Sequence, residues 1–371
     1  MTTEILAACS PGEVRVAVRG PDGLLDYGIW RPGAPDGVGD LHRGRVIARV
    51  PAMAGAFVAL VDSEGFLPDS AGAAVLTAGD HVGVRVVRAA QGGKGPRLAA
   101  DPDALAADGP VRLIRRGPGA VERLALRYPD ATVSIDDAAV AAALRTALSD
   151  RLRVVRAAFD DEIESEAAAL GEPSYALPGG AAMHVSPTPA LTAIDLDLGS
   201  ATSARASKTA AQLAANIALI PALARQIRLR ELGGAILIDF GGLASRRRPA
   251  LRPALEAALA TDPMTPRCLG FTVLGLAEIV RPRVHPPLHE LLRGPHAAAL
   301  AALRACEDAS RASPGRTPRL IAAPSLVAAL ELDAVALADF ARRTGHSLAL
   351  TADPALGAAA APPWRCAWSG A

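Results

Sequence analysis

Lysine is nearly missing from this sequence: Lys94 and Lys208 are the only two among 39 basic residues. The rest are arginines, whose planar fork suits phosphate better than an ammonium does. A GC-rich coding bias is the main cause, since it also explains the abundant Ala, Gly and Pro. Aromatic residues are scarce too, at 3%, so apolar helices must pack on small side chains and each aromatic stands out as a candidate. Net charge is only +1, which excludes a uniformly basic nucleic-acid binder but not a local basic stripe. The four cysteines, Cys9, Cys268, Cys306 and Cys366, are scattered with no CxxC pair. That argues against a sequence-evident zinc site and against a disulfide framework, and predicts reduced thiols. No stretch approaches the roughly 18 uninterrupted apolar residues of a membrane span. MTTEILAACSPGEVRV lacks a basic region followed by a long apolar core, so no signal peptide is expected. The expectation is a soluble, cytoplasmic protein with no membrane contact.

A chain of 371 residues predicts two to four modules. Residues 1–35 alternate weakly (EVRVAV, LLDYGIW), as a hairpin would, and end in the turn-rich RPGAPDG. Residues 41–100 hold the short β-like runs GRVIARV, AGAFVALV, GFLP and HVGVRVV. Five or so such strands suit a small closed barrel, followed by a glycine-rich loop, AAQGGKGPRLAADPD. Residues 110–187 read as mixed α/β, with strands VRLIRR and ATVSID and the helix DAAVAAALRTALSDRL. Next comes the clearest unit. ALTAIDLDLG is a strand ending in acids, and AAQLAANIALIPALARQIRLREL is a helix with a kink expected at Pro221 and a cap at Gly233 and Gly234. GAILIDF is a second strand ending in an acid. A β-α-β unit makes these two strands parallel neighbours. A helix, RRRPALRPALEAALATD, and the segment CLGFTVLGLAEIVRPR follow, then a small α/β tail after the linker ASPGRTP. Trp364 and Trp368 in that tail either pack back on it or mark a partner surface.

Asp195 and Asp197 are two residues apart on one strand, so they share a face. Asp239 closes the neighbouring strand. Carboxylates meeting at strand carboxyl ends, where open α/β sheets place their sites, would repel unless a cation lay between them. Hard oxygen ligands with room for water and phosphate suit Mg²⁺. Alternatively, acids at such positions cap the next turn or helix: Asp197 before LGS, Asp239 before FGG. Spacing alone leaves both readings open.

The strings PTPALTAIDLDLG, ARQIRLRELGGAILIDF and LGLAEIVRPR resemble the catalytic segment of the ribonuclease E/G family, over about residues 185–285. The resemblance implies that Asp195 and Asp239 bind magnesium and that Asp197 stands at the assisting polar position. Asn216, Arg225, Gln226 and Arg228 match the helix between the strands, and Arg281 and Arg283 the basic end; the resemblance implies that Arg228, Arg281 and Arg283 contact RNA. LHRGRVIARVPAMAGAFVALVDSEGFLP resembles the family's RNA-binding barrel, which places Phe57 and Phe66 as base-stacking positions, with Arg43, Lys94 and Arg97 as basic contacts. Stacking plus a few cations is sufficient for single-strand binding. Core packing is the alternative for Phe57, inside an apolar run, and a solvated loop is the alternative for Lys94 and Arg97. The implied fold is a multi-domain α/β chain. An RNase H-like domain (1–35 and 101–187) is interrupted by an OB-fold RNA-binding insert (36–100). An α/β deoxyribonuclease-like catalytic domain (188–298) and a small C-terminal α/β domain (299–371) follow. Asp136 and Asp137 are read as strand-end or helix-cap acids.

Three features depart from the family. The usual cysteine-based zinc link is missing; the region reads HPPLHELLRGPHAAAL, and His285, His289 and His296 are read as surface residues, so no zinc is expected and any homodimer would not be held by it. Only about ten residues separate PRLAADPD from VRLIRR, too few for the family's long 5′-monophosphate sensor, which predicts weak dependence on the 5′ end. In SATSARASKTAAQLAAN the usual acidic helix start has become Ser, Lys and Ala. The implied activity is a Mg²⁺-dependent endoribonuclease acting on single-stranded RNA in ribosomal RNA processing or messenger RNA decay. It would leave a 5′-phosphate and a 3′-hydroxyl. The alternative is a catalytically weakened RNA-binding protein of the same fold.

Overall fold

The computed structural model describes residues 3–105, 109–199, 208–313, 315–357 and 362–368. In chain order, β1 (Glu4–Ser10), β2 (Glu13–Gly20) and β3 (Gly23–Trp30) are followed by the barrel strands. These are β4 (Leu41–Val50), β5 (Gly55–Ala59), β6 (Glu64–Pro68), β7 (His81–Arg88), β8 (Arg97–Ala100) and β9 (Arg112–Arg115). Then come α1 (Ala120–Arg127), β10 (Thr132–Ile135), α2 (Ala138–Leu148), β11 (Leu152–Val154) and α3 (Asp161–Ala169). Strands β12 (Ser174–Leu177), β13 (Ala181–Pro187) and β14 (Leu191–Asp197) lead to α4 (Lys208–Leu229), β15 (Gly234–Phe240) and α5 (Arg252–Leu259). The hairpin β16 (Arg267–Phe271) and β17 (Ala277–Arg281) is followed by α6 (Leu288–Leu291) and α7 (Pro295–Ala312). The tail holds β18 (Pro318–Ala322), α8 (Pro324–Glu331), α9 (Ala334–Thr344), β19 (Ala349–Ala352) and β20 (Trp364–Trp368). No described helix is long and apolar enough to cross a membrane.

The chain divides into two units, and the first gathers residues 1–35, 119–167 and 289–371. Its main sheet has the order β11-β10-β1-β2-β3. The hairpin expected in residues 1–35 is β2–β3. EILAACS adds a third strand, which pairs antiparallel with β2 and parallel with β10. Ile5, Val16, Leu124, Val133 and Ile135 are buried together under α1 and α2. Asp137 caps α2, accepting from the N–H groups of Ala139 and Val140, while Asp136 accepts from the N–H groups of Cys9 and Ala158. Both acids therefore serve the backbone.

In the tail, β18 runs between parallel β19 and antiparallel β20. Trp364 packs against its core, and Arg316 lies over the ring of Trp368. Cys306 and Cys366 form a disulfide, which corrects the expectation that all four thiols are reduced. They stand 60 residues apart in sequence, so spacing could not pair them. The strand β20, laid beside β18 against α7, brings Cys366 to Cys306. Cys9 and Cys268 are free.

The second unit holds residues 36–118 and 168–288. Strands β4 to β8 close a five-stranded barrel through the β4–β5 pairing. Its interior is small and branched: Val46, Ala56, Val58, Leu67, Val84 and Leu98. The fifth strand, β8, comes from the stretch read as a glycine-rich loop. VRLIRR does form a strand, but β9 pairs with β4 on the barrel.

The other sheet of this unit has the order β12-β13-β14-β15-β17-β16. Strands β14 and β15 are parallel and adjacent, as the β-α-β pattern requires. One face is covered by α4 and α5, which bury Ile194, Leu196, Ile236, Ile238 and Phe240 against Leu223, Ile227 and Leu255. The opposite face carries no helix from that core and presents the alternate residues. Gly233 and Gly234 do not cap α4. Glu231 takes the left-handed conformation (φ 50°) instead, with Leu232 N–H returning to the Ile227 carbonyl. That bond closes a Schellman-type end. Gly234 has a different reason to be glycine: a Cβ there would lie 2.4 Å from the Arg283 guanidinium.

Candidate nucleic-acid interface and acidic sheet face

Along each barrel strand, side chains alternate between interior and surface. On β5, Ala56 and Val58 point inward, which sends Phe57 outward; on β6, Leu67 points inward and Phe66 outward. Register then sets these outward residues side by side. Phe57 faces Phe66, Phe66 pairs with Arg97, and Arg97 pairs with Arg88 across a register shift between Val86 and Arg88 that interrupts the alternation of β7. Two aromatic rings and two guanidinium groups thus form one row across β5, β6, β8 and β7. The rings meet edge to face with centroids 5.6 Å apart. Phe57 is half-buried in this pair and is not part of the barrel core. Lys94 and Arg97 are exposed.

Arg88 was not singled out in the sequence, where it is only the last residue of HVGVRVVR. Burial, reinforced by the charges of Arg97 and Arg283, pulls its guanidinium below the usual range. Three like charges are therefore crowded together, an arrangement that an anion would relieve. Arg283 joins the row because the Ala89 N–H donates to the Val284 carbonyl at 2.8 Å.

Three of the expected RNA contacts lie elsewhere. Arg281 is 2% exposed and bonded to Asp262 at 2.8 Å and Glu231 at 3.0 Å. Burial works against its charge, but these two carboxylates hold its guanidinium above the ordinary range. It is a core ion pair, and the expectation that it contacts RNA is corrected. Arg43 is also buried, with Nε donating to the Gly109 carbonyl at 2.7 Å, which removes it from the barrel surface. Arg228 is half-buried near the end of α4. That helix covers the sheet face opposite the acids, so Arg228 and the acids are not brought together.

Asp195 and Asp239 are direct neighbours on adjacent parallel strands, and both point to the uncovered face. Asp197 follows two residues after Asp195 on the same face, with Oδ1 accepting from the Gly199 N–H at 2.9 Å. The capping alternative thus holds for one of its oxygens. Asp239 is half-exposed, and its Oδ1 accepts from Arg248 Nη1 at 2.5 Å. Opposite Asp195 on β13 stands His184, whose Nδ1 lies 2.8 Å from Ser174 Oγ. Ser174, His184, Asp195 and Asp239 therefore form a second row across four strands. Neither His184 nor Arg248 was identified beforehand; His184 sits in an unremarkable strand, and Arg248 is the third of a run of three arginines.

Among the described residues no group of three His, Cys, Asp or Glu side chains is arranged to enclose a metal ion. Mg²⁺ does not require such a cage: it commonly takes one or two carboxylates and completes its shell with water and phosphate. Asp195 and Asp239, exposed and adjacent on one face, fit that open kind of site. The three histidines of the HPPLHELLRGPH stretch have separate surroundings. His285 Nδ1 is 2.6 Å from Asp36, His296 Nε2 is 2.9 Å from Asp333, and burial lowers the proton affinity of His289. His285 is largely buried beside its carboxylate, which corrects its reading as a surface residue. Residues 200–207 of the altered helix start lie outside the described residues.

Residues 133–284 match the model of the Ribonuclease E/G family. The chain is 36% identical over 125 residues to Ribonuclease E of Synechocystis, covering 33% of this chain and 18% of that protein. It is 38% identical over 122 residues to Ribonuclease E of Nostoc, covering 32% of this chain and 18% of that one. With Ribonuclease G of Escherichia coli K12 it shares 33% identity over 133 residues, or 35% of this chain and 27% of that protein. The matched stretch is thus less than a third of the length of each of these relatives. The stretch that the family model matches, residues 133–284, includes both acidic strands.

Proposed function

We propose that this chain is an endoribonuclease that holds single-stranded RNA on the barrel row and cuts it at the acidic face. The observation that carries the reading is the pairing of Asp195 with Asp239 on the open face of one sheet, within a family segment whose relatives are named ribonucleases. Phe57 and Phe66 would stack bases, while Arg88, Arg97, Lys94 and Arg283 would meet phosphates. Arg283 packs at Gly234, where β15 begins, and Asp239 lies five residues further on. About 17 Å of strand therefore separates the start of β15 from the acid.

Asp195 and Asp239 would hold Mg²⁺, which when bound would polarise the phosphate and acidify a water. Asp197, with one oxygen committed to its turn, keeps the other to accept a hydrogen bond from water. Attack of water on phosphorus with departure of the 3′ oxygen leaves a 5′-phosphate and a 3′-hydroxyl. The RNA would be a ribosomal precursor or a decaying messenger, and the setting the cytoplasm. Any homodimer would be held by contacts other than zinc. The barrel is read as an OB-fold insert in an RNase H-like domain, and the sheet bearing the acids as deoxyribonuclease-like.

One observation favours a second reading, an RNA-binding protein with weakened catalysis: Arg248 already occupies Asp239. The two readings separate in one experiment. An AU-rich single-stranded RNA is incubated with Mg²⁺, with and without EDTA, using wild type and Asp239→Asn. Under the nuclease reading only wild type with Mg²⁺ cuts, and both proteins bind. If both bind and neither cuts, the binding-protein reading replaces it.

A further inference from the structure

Arg248 is held from three sides. It lies in the 3-10 turn Ser245–Leu251, where Arg246 and Arg247 are exposed and Arg248 is not. Its Nε donates to the Leu243 carbonyl at 2.9 Å, and its Nη1 to the Gly275 carbonyl at 3.2 Å and to Asp239 Oδ1 at 2.5 Å. The β16–β17 turn closes over it. Gly275 has φ +89°, and a Cβ there would come within 3.0 Å of Arg248 Cδ and 2.9 Å of Ser245 Cβ. Ser245 Oγ also donates to the Leu274 carbonyl. A surface ion pair between long side chains loses most of its Coulomb energy to chain entropy and screening. Here two backbone carbonyls have already fixed the guanidinium, and its side chain is only 13% exposed, so little further ordering is needed to hold Asp239.

We propose that Arg248 is a positioning residue for the acidic face: it pins one oxygen of Asp239, leaves the other free beside Asp195, and offsets one of the three negative charges there. The proposal rests on the nuclease reading for its use but not for its measurement. It has two separable consequences. A fixed positive charge next to Asp239 competes with a free divalent cation, so this face should bind such a cation more weakly than three bare carboxylates would. A fixed fork also orients Asp239, which a flexible ammonium cannot do from the same position.

Mn²⁺ alone, without RNA, is the probe for the first consequence, followed by electron paramagnetic resonance or calorimetry. Arg248→Gln should bind it several-fold more tightly than wild type, because the competing charge is gone. Arg248→Lys should bind it with near wild-type affinity, because the charge is kept. Cutting of a fixed RNA at saturating metal tests the second: both variants should fall about tenfold or more in kcat, with RNA affinity unchanged. Arg246→Gln, a neighbour pointing to solvent, should match wild type in both assays. Unchanged Mn²⁺ affinity in Arg248→Gln, or full kcat in Arg248→Lys, overturns the proposal while leaving the nuclease reading intact. If Arg248→Gln fails to fold, the kcat of Arg248→Lys decides. If Mn²⁺ affinity shifts as stated but wild type cuts no RNA, the charge role of Arg248 stands and the nuclease reading falls. A wild type that binds no Mn²⁺ removes both.

Discussion

At the scale of single residues, the decisive quantity is what each charged group already holds. Arg281 and Arg283 are two apart in one basic motif, yet they do unlike work. Arg281 neutralises Glu231 and Asp262 inside the protein, whereas Arg283 lies over Gly234 and adds its charge to the barrel row. Arg281→Ala would strand two buried carboxylates and should cost about 3–5 kcal/mol of stability, read from urea unfolding. A loss below 1 kcal/mol would contradict this account. Asp137 shows the opposite dependence on pH from a group with raised proton affinity. Burial pushes its carboxyl up, but Arg342, the Val140 N–H and Arg343 outweigh this and hold it below the usual carboxylate range. Its ion pairs therefore stabilise the fold above the unfolded pKa of about 3.9 and lose that effect as pH falls through the lower folded value. Asparagine keeps the helix cap but not the charge. Asp137→Asn should be less stable than wild type by about 1–3 kcal/mol at pH 7, with the gap shrinking as pH drops below about 4. A gap that stays constant with pH would assign the stabilisation to something other than the ion pairs.

At the scale of elements, strand register turns scattered residues into rows. Phe57 and Phe66 are nine positions apart and Arg88 and Arg97 another nine, but antiparallel and parallel pairing put all four in line. Replacing Phe57 or Phe66 with alanine should weaken single-stranded RNA binding by about 1–3 kcal/mol each, measured by fluorescence anisotropy. Arg88→Ala should instead flatten the salt dependence, reducing the slope of log affinity against log salt by about 0.7. Full-strength binding by the phenylalanine variants would mean that RNA uses another face. The row itself was only half legible beforehand. The phenylalanines were marked by the resemblance of their segment to a known RNA-binding barrel, whereas Arg88 was one of many arginines and only β7–β8 pairing marks it.

At the scale of the whole molecule, the short connection between the barrel and α1 matters most. β8 ends at Ala100 and β9 begins at Arg112, where it pairs back onto β4. That leaves little chain for an independent pocket around an RNA 5′ end. The chain should therefore cut 5′-monophosphate and 5′-hydroxyl forms of one RNA at similar rates in single-turnover assays. A preference of tenfold or more for the phosphate would show that another part of the protein performs the sensing.

The sequence by itself determined the β-α-β unit, the barrel and the three carboxylates, because each is written in local periodicity: period two on strands, a helix between them, acids at strand ends. It also carried the family signature, which lies in contiguous strings. What only the tertiary structure decided was partnership across distance. Cys306 met Cys366, Arg281 turned inward, and Arg248 reached Asp239, none of which follows from spacing. Whether an arginine faces solvent, a carboxylate or a phosphate is set by which elements pack beside it, and that information is distributed over the whole fold.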